Sequence, residues 1–395
     1  MVDRRDFLRI GTGAALGLGV GGKARAAPAI RRYVRLGRTE LKMSDISFGS
    51  SSMSDPAVVR HALARGINYF DTAESYRWGS AEEAIGEALA GRRDDVLIAS
   101  KTKAGTGDKR ADMMKSLEGS LKRLRTDRVD VYFNHSVNDV ERMRNAEWWE
   151  FTELAKRQGK IRFRGMSGHG SNLTACLDHA IDNDLVDVVL VAYNFAQDPS
   201  FYDKLRHTFH WSAIQPDLPR VLEKARKKDI GVIAMKTLMG ARLNDMRPYE
   251  RPGATFSQAA FRWVLSSPQV DGLLVSMSSA GEIDEYVAAS GAGPVTGADT
   301  ELLERYALRQ SGRYCQSACN DCAGSCPQDV AISEVLRTRM YDVDYGDPLL
   351  ARTEYAALGK PASVCLTCTT QSCLNACSKG IPIAEFTRDA ALRLG

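Results

Sequence analysis

Four side chains stand where they could move a proton beside a carbonyl: Asp71, Tyr76, Lys101 and His135. Asp71 ends an apolar run in Phe70-Asp-Thr-Ala-Glu-Ser-Tyr76, and Tyr76 follows on the next loop. Lys101 ends Ile98-Ala-Ser-Lys, and His135 ends Tyr132-Phe-Asn-His. A phenol is a weak acid at neutral pH, with an ordinary pKa near ~10. A neighbouring ammonium stabilises the phenolate and pulls that value down. A carboxylate holds the lysine charged and in place. An imidazole can donate a hydrogen bond to a carbonyl oxygen. Taken singly, each residue reads as structure: a salt-bridged Asp–Lys pair, a core histidine, a rim tyrosine. Taken together at strand ends, they describe a proton-transfer site beside a carbonyl or alcohol carbon.

A second chemistry sits at the other end of the chain. Eight of the nine cysteines fall between Cys315 and Cys377, in two runs of four. The first is Cys315, Cys319, Cys322 and Cys326, followed by Pro327; the second is Cys365, Cys368, Cys373 and Cys377. Cys319 to Pro327 reads C-x2-C-x3-C-P, most of a bacterial ferredoxin signature, and Cys315 adds a thiolate with one extra spacer residue. Ser378-Lys-Gly-Ile-Pro382 follows the second run much as Pro327-Gln-Asp-Val-Ala-Ile332 follows the first. Three readings compete. Two [4Fe–4S] clusters would use all eight thiolates, structural zinc would accept sets of four, and disulfides would suit an oxidising compartment. The tight, ferredoxin-like spacing favours iron–sulfur, in a small α-helical ferredoxin-like domain over residues 300–395. Which thiolate joins which cluster is open, because ferredoxin halves exchange their fourth ligand.

The elements that must carry the first site recur along the body. Strand candidates are Asp45–Phe48, Asn68–Thr72, Val96–Ser100, Val129–Asn134, Ile161–Met166, Val186–Tyr193, Gly231–Lys236 and Gly272–Ser276. Several are continuous apolar runs, as expected of strands buried on both faces. Amphipathic segments such as Ala81–Leu89, Met113–Leu124 and Phe256–Leu265 separate them. Eight such alternations predict an α/β fold, a (β/α)8 TIM barrel over residues 33–295. Ahead of it, Tyr33 to Lys42 turns at Gly37 and reads as a hairpin that plugs one end. In such barrels the working residues sit at the C-terminal strand ends. Here those ends carry Asp71, Lys101, His135, Ser167, Tyr193 and Lys236.

Over residues 33–290 the chain resembles the aldo-keto reductase family. The resemblance is carried by Leu36-Gly-Arg-Thr39, Gly66-Ile-Asn-Tyr-Phe-Asp-Thr-Ala-Glu-Ser-Tyr76, Ala99-Ser-Lys101, Ser120-Leu-Lys-Arg-Leu124, Asp127-Arg-Val-Asp-Val-Tyr132 and Gly159-Lys-Ile-Arg-Phe-Arg-Gly165. It implies hydride transfer between a nicotinamide and a carbonyl. Tyr76 would be the general acid/base, Lys101 and Asp71 its tuning pair, and His135 the orienting donor. It further implies a cofactor held by Ser167, Tyr193, Lys236 and Glu285. Three departures stand out: Gly168 where the family has Asn, Leu190 where it has Gln, and Tyr286 where it has Asn. Near Glu285 the family's basic partner for a 2′-phosphate is missing, which favours NAD(H) over NADP(H). Cysteine-rich tails are known on one branch of the family. His207 and His210 lack a third ligand for a metal, His169 reads as backbone geometry, and Cys176 reads as a small core residue.

The first 26 residues resemble a twin-arginine (Tat) export leader. Arg4-Arg5-Asp-Phe-Leu8 precedes a small apolar stretch, and Ala24-Arg-Ala26 offers a cleavage site. The expected location is therefore periplasmic or otherwise extracytoplasmic, with clusters loaded before export. No later run is long enough to cross a membrane. The net charge of +4 over 395 residues argues against nucleic acid as a partner. The expected partners are a small carbonyl or alcohol substrate and, if the clusters carry electrons and are not structural, a redox protein. A competing reading is a non-enzymatic electron-transfer or assembly module whose barrel has lost nicotinamide binding; Leu190 and Gly168 support it.

Overall fold

Eight parallel strands close into a barrel in the computed structural model of the chain. The structure describes residues 27–170, 172–197, 217–238, 246–310, 315, 321–343, 347–359, 362–378 and 380–395. The leader, His207, His210 and Cys319 lie outside these residues. The strands are β3 (Ile46–Gly49), β4 (Tyr69–Asp71), β5 (Leu97–Thr102), β6 (Val129–Asn134), β7 (Ile161–Gly168), β8 (Val188–Ala192), β9 (Gly231–Met235) and β10 (Gly272–Ser276). They follow one another around the barrel in chain order, and β10 closes on β3. All eight predicted strands are present, shifted by a residue or two at some ends.

The hairpin is also present, as β1 (Tyr33–Arg35) paired antiparallel with β2 (Lys42–Ser44). Its apolar residues Leu36, Leu41 and Met43 pack into the barrel interior with Tyr69, Val131, Phe133, Leu190 and Ile233. This buried cluster stops the N-terminal end of the barrel. The turn approaches the barrel closely: a Cβ on Gly37 would come 2.2 Å from the backbone nitrogen of Gly231. Gly37 also has φ +48°, so glycine is required there on both counts.

Outside the strands, the helices bury one apolar face each in a second, larger cluster. Strand parity separates the two layers. Val188 and Leu190 point to the interior, while Val189, Val191 and Tyr193 join the helix layer. The helix Gly297–Gln310 packs on Phe256–Leu265, and Tyr306 stacks on Phe256 with centroids 3.9 Å apart. The barrel's packing therefore runs on to Tyr306, past the boundary at 295 suggested by the strand pattern.

The cysteine-rich segment has its own small core. Val330, Ile332, Val335, Leu336, Ala351, Tyr355, Ile383 and Ala390 form it, with Cys322 among them. They come from three helices, Ile332–Val343, Pro348–Ala356 and Ile383–Leu394, which pack on one another. Among the described residues no helix is long and apolar enough to cross a membrane.

Candidate active site

The C-terminal strand ends open into a cavity of about 330 Å³ that contains Asp71, Tyr76, Lys101 and His135. Register explains the first pair. Gly49, Asp71 and Ala99 lie side by side across β3, β4 and β5, so Lys101 projects one step beyond Asp71. The Lys101 ammonium is ion-paired with Asp71 and donates to the Thr72 carbonyl at 2.7 Å. Both side chains are almost fully buried. Burial drives Asp71 up and Lys101 down, toward a neutral pair, and their mutual attraction opposes both shifts.

Tyr76 lies over this pair, with the Lys101 nitrogen 4.8 Å from its ring centroid. The His135 ring meets it edge-on at 5.5 Å. The turn that presents Tyr76 is strained: Arg77 and Trp78 both have positive φ, followed by Gly79 at +88°. The sequence reading expected lysine to lower the tyrosine pKa. Instead, burial raises it well above the ordinary value, helped by the Asp71 and Glu354 carboxylates. Desolvation is the largest effect, and the Asp71 carboxylate paired with Lys101 opposes the field of the ammonium. Burial, together with Lys101, Lys103 and Arg142, holds His135 well below the ordinary histidine value, so it is neutral near pH 7.

Of the four expected cofactor residues, two line the cavity. The Ser167 hydroxyl accepts from the Ser136 amide at 3.0 Å. Lys236 adopts φ +56°, and its ammonium is shielded from solvent with no hydrogen-bond partner among the described residues. Burial and the Arg337 charge lower its pKa to about 7. The other two residues face elsewhere. Tyr193 shares the outward parity of Val191; its hydroxyl donates to Ser267 and its ring leans on Trp263 at 5.3 Å. The Glu285 carboxylate accepts from Thr255, at the capped start of the helix Phe256–Leu265. Glu282, one turn earlier, is the carboxylate of this helix that lines the cavity, and it accepts from the Ser278 amide and hydroxyl at 2.7 and 2.8 Å.

The structure adds residues that the sequence reading passed over. His169 lines the cavity, with Nε2 3.1 Å from the Ser136 hydroxyl and Nδ1 without a partner among the described residues. Its place two residues after Ser167 on the same rim was a legible signal. Ser50 and Thr237 also present buried hydroxyls with no partner among the described residues. Gly168 has a packing reason: a Cβ there would come 2.6 Å from Leu173 and 3.0 Å from the Val137 carbonyl. Cys176 is a core residue as expected, its thiol pushed up to about 11 by burial.

A barrel with an acid, a tyrosine, a lysine and a histidine at these rims has known counterparts. The family model described as "Aldo/keto reductase family" matches residues 48–252. The chain belongs to this family. Its chemistry is therefore carbonyl–alcohol oxidoreduction. L-Galactose dehydrogenase of Arabidopsis thaliana is 27% identical over 68% of this chain and 91% of its own length. L-Glyceraldehyde 3-phosphate reductase of Escherichia coli O157:H7 is 25% identical over 65% of this chain and 87% of its own. Among solved structures, an aldo-keto reductase from Klebsiella pneumoniae in complex with NADPH superposes with a TM-score of 0.54. It is 25% identical and covers 70% of this chain and 95% of that one.

The cysteines form a separate locus. Cys326, Cys365, Cys368 and Cys373 line one small cavity beside Pro327, Thr387 and Arg388. Arg388 donates to the carbonyls of Cys365 and Cys368, both at 3.0 Å, which fixes the loop between them. Cys315 and Cys377 pack at the edge of the same small core as Cys322. Ser378 hydrogen-bonds Asp321, so the end of the second run lies against the first. No described cysteine is in a disulfide. Among the described residues no three His, Cys, Asp or Glu side chains converge closely enough to hold a single metal ion.

Proposed function

We propose that the chain interconverts a small carbonyl compound and its alcohol by nicotinamide hydride transfer, with Tyr76 as the proton donor and acceptor. The convergence of Asp71, Tyr76, Lys101 and His135 on one cavity carries this reading. A bound nicotinamide supplies or takes the hydride. In reduction, the neutral His135 donates a hydrogen bond to the carbonyl oxygen and orients it. The Tyr76 hydroxyl then gives that oxygen its proton, and the Lys101–Asp71 pair stabilises the phenolate left behind. In oxidation the proton returns to Tyr76.

The cavity suits a polar cofactor. Ser50, Thr237 and Lys236 present shielded polar atoms without partners among the described residues, and such atoms are costly unless a ligand meets them. Ser167 and Lys236 are the cofactor residues this reading keeps; Glu282 replaces Glu285, and Tyr193 drops out. Glu282 supports NAD(H) over NADP(H), because its carboxylate would repel a 2′-phosphate. Tyr76→Phe, assayed with NADH and NADPH against an aldehyde panel, should cut kcat/KM by about 10²–10⁴-fold. Activity retained in that variant refutes the assignment.

For the tail we propose two [4Fe–4S] clusters. The ferredoxin-like spacing of the two runs supports this over zinc, and four of the thiols line one cavity. Cys365, Cys368 and Cys373 would take Cys326 as their fourth ligand, the cross-over found in two-cluster ferredoxins. Cys315, Cys319, Cys322 and Cys377 would hold the other cluster. Anaerobically purified protein should then contain about eight iron atoms per chain, as two four-iron clusters require; zinc, or neither metal, overturns this. Export through the leader at residues 1–26 belongs to the same proposal. It is tested by fusing that segment to a reporter that only the twin-arginine route transports.

A further inference from the structure

The reaction cavity is not built by the barrel alone. Tyr341, Asp347, Leu350 and Glu354, all from the cysteine-rich segment, line it together with Tyr76 and His135. Tyr341 comes from the helix Ile332–Val343. Leu350 and Glu354 lie one turn apart on the helix Pro348–Ala356, whose N-terminus Asp347 caps by accepting from the Leu350 amide at 3.0 Å. That helix packs against the turn that presents Tyr76.

The segment touches the barrel on opposite sides of its C-terminal rim. Lys103, just past the end of β5, donates to Glu354 at 2.6 Å. Lys236, just past the end of β9, lies 5.3 Å from the Tyr341 ring centroid. In the barrel order, β5 and β9 are four strands apart, half-way round. Two helices anchored at diametrically opposed points must cross the mouth. The Glu354 carboxylate also acts on the Tyr76 hydroxyl, adding to the rise in its pKa that burial causes.

We infer that the cysteine-rich segment roofs the catalytic cavity and that Glu354, Tyr341 and Leu350 contact the substrate and set its specificity. This rests on the proposed site at Tyr76. Glu354 brings a carboxylate that accepts from a substrate hydroxyl; Leu350 brings an apolar limit on size. The substrate class is a small carbonyl compound with a hydroxyl beside the reacting carbon.

Glyceraldehyde and propanal, which differ in their hydroxyls, are the probes, used with the full-length protein purified anaerobically. Wild type should prefer glyceraldehyde. Glu354→Gln should lower the ratio of kcat/KM values, glyceraldehyde over propanal, by about tenfold, as expected for weakening one hydrogen bond to a charged acceptor. Loss of folding would instead depress both aldehydes alike. An unchanged ratio in both Glu354→Gln and Leu350→Ala, at wild-type iron content, overturns the assignment.

Hydrogen exchange tests the roof without turnover. Lys103→Glu should raise exchange across residues 347–356, and the swap Lys103→Glu with Glu354→Lys should restore protection. If wild type reduces neither aldehyde but the swap restores protection, the roof stands and the reading of Tyr76 fails. If Lys103→Glu leaves exchange unaltered, the roof fails whatever the activity.

Discussion

The Asp71–Lys101 pair gives the most direct energetic test of the site. Both side chains are about 1% exposed, and the second oxygen of Asp71 has no hydrogen-bond partner among the described residues. Asp71→Asn would leave a buried ammonium without a counter-ion, with only neutral carbonyls, that of Thr72 among them, to accept from it. Lys101→Met would leave a buried carboxylate without its cation. Breaking such a pair from either side costs about 3–5 kcal/mol. Removing both charges costs much less, because no unpaired ion remains. The double variant Asp71→Asn/Lys101→Met should therefore be no less stable than either single, recovering at least about 3 kcal/mol relative to their sum. Urea unfolding followed by tryptophan fluorescence reads this out, since Trp148 is buried in the barrel's helix layer. The tyrosine would lose its support in all three variants, so catalysis should fall in each, including the one whose stability returns. Single losses below about 1 kcal/mol, or singles that add within about 0.5 kcal/mol, would refute the buried ion pair.

Lys236→Met tests the shielded ammonium at the rim. Its folded pKa of about 7 lies below the ordinary 10.5, so the unfolded chain binds more protons between those values. Wild-type stability should therefore rise with pH across that window. The advantage of Lys236→Met in urea midpoint should be largest at pH 7 and below, shrinking toward pH 10. Gly37→Ala should cost about 2 kcal/mol or more by forcing a Cβ against Gly231 at positive φ, and the melting temperature will show it. Cys326→Ser and Cys365→Ser should abolish the same EPR signal and leave the same other one. If Cys326→Ser instead matches Cys322→Ser, the proposed crossing of ligands is wrong.

The barrel was legible because each of its strands announces itself within a few residues. Val188 to Ala192 is apolar throughout, and Asp71, Lys101 and His135 stand out as polar residues that end such runs. Tyr193 was misplaced although the signal existed: counting by twos from Leu190 puts it on the outer face. Glu285 was misplaced for a different reason. The helix Ala280–Val287 starts from a Ser279 cap, and until that start is known its phase is free, so Glu282 and Glu285 look alike. The raised pKa of Tyr76 depends on how fully a strained turn buries it, which no spacing records. Tyr341 and Glu354 could not be read at all. They reach the cavity only because a segment with its own core docks across the barrel mouth, through contacts such as Lys103 to Glu354, which are 251 positions apart.

Cys326 and Cys365 face one cavity, and between them in the chain lie Tyr341, Leu350 and Glu354. Any group gripping both thiols acts as a clasp on a loop of nearly forty residues. Fixing the ends of such a loop by a cross-link removes about 4 kcal/mol of disorder from the unclasped chain. The pocket over Tyr76 would then be shaped by a bond made far from it, and opening the clasp would change which molecules are admitted while leaving Tyr76, Lys101 and His135 on their strands.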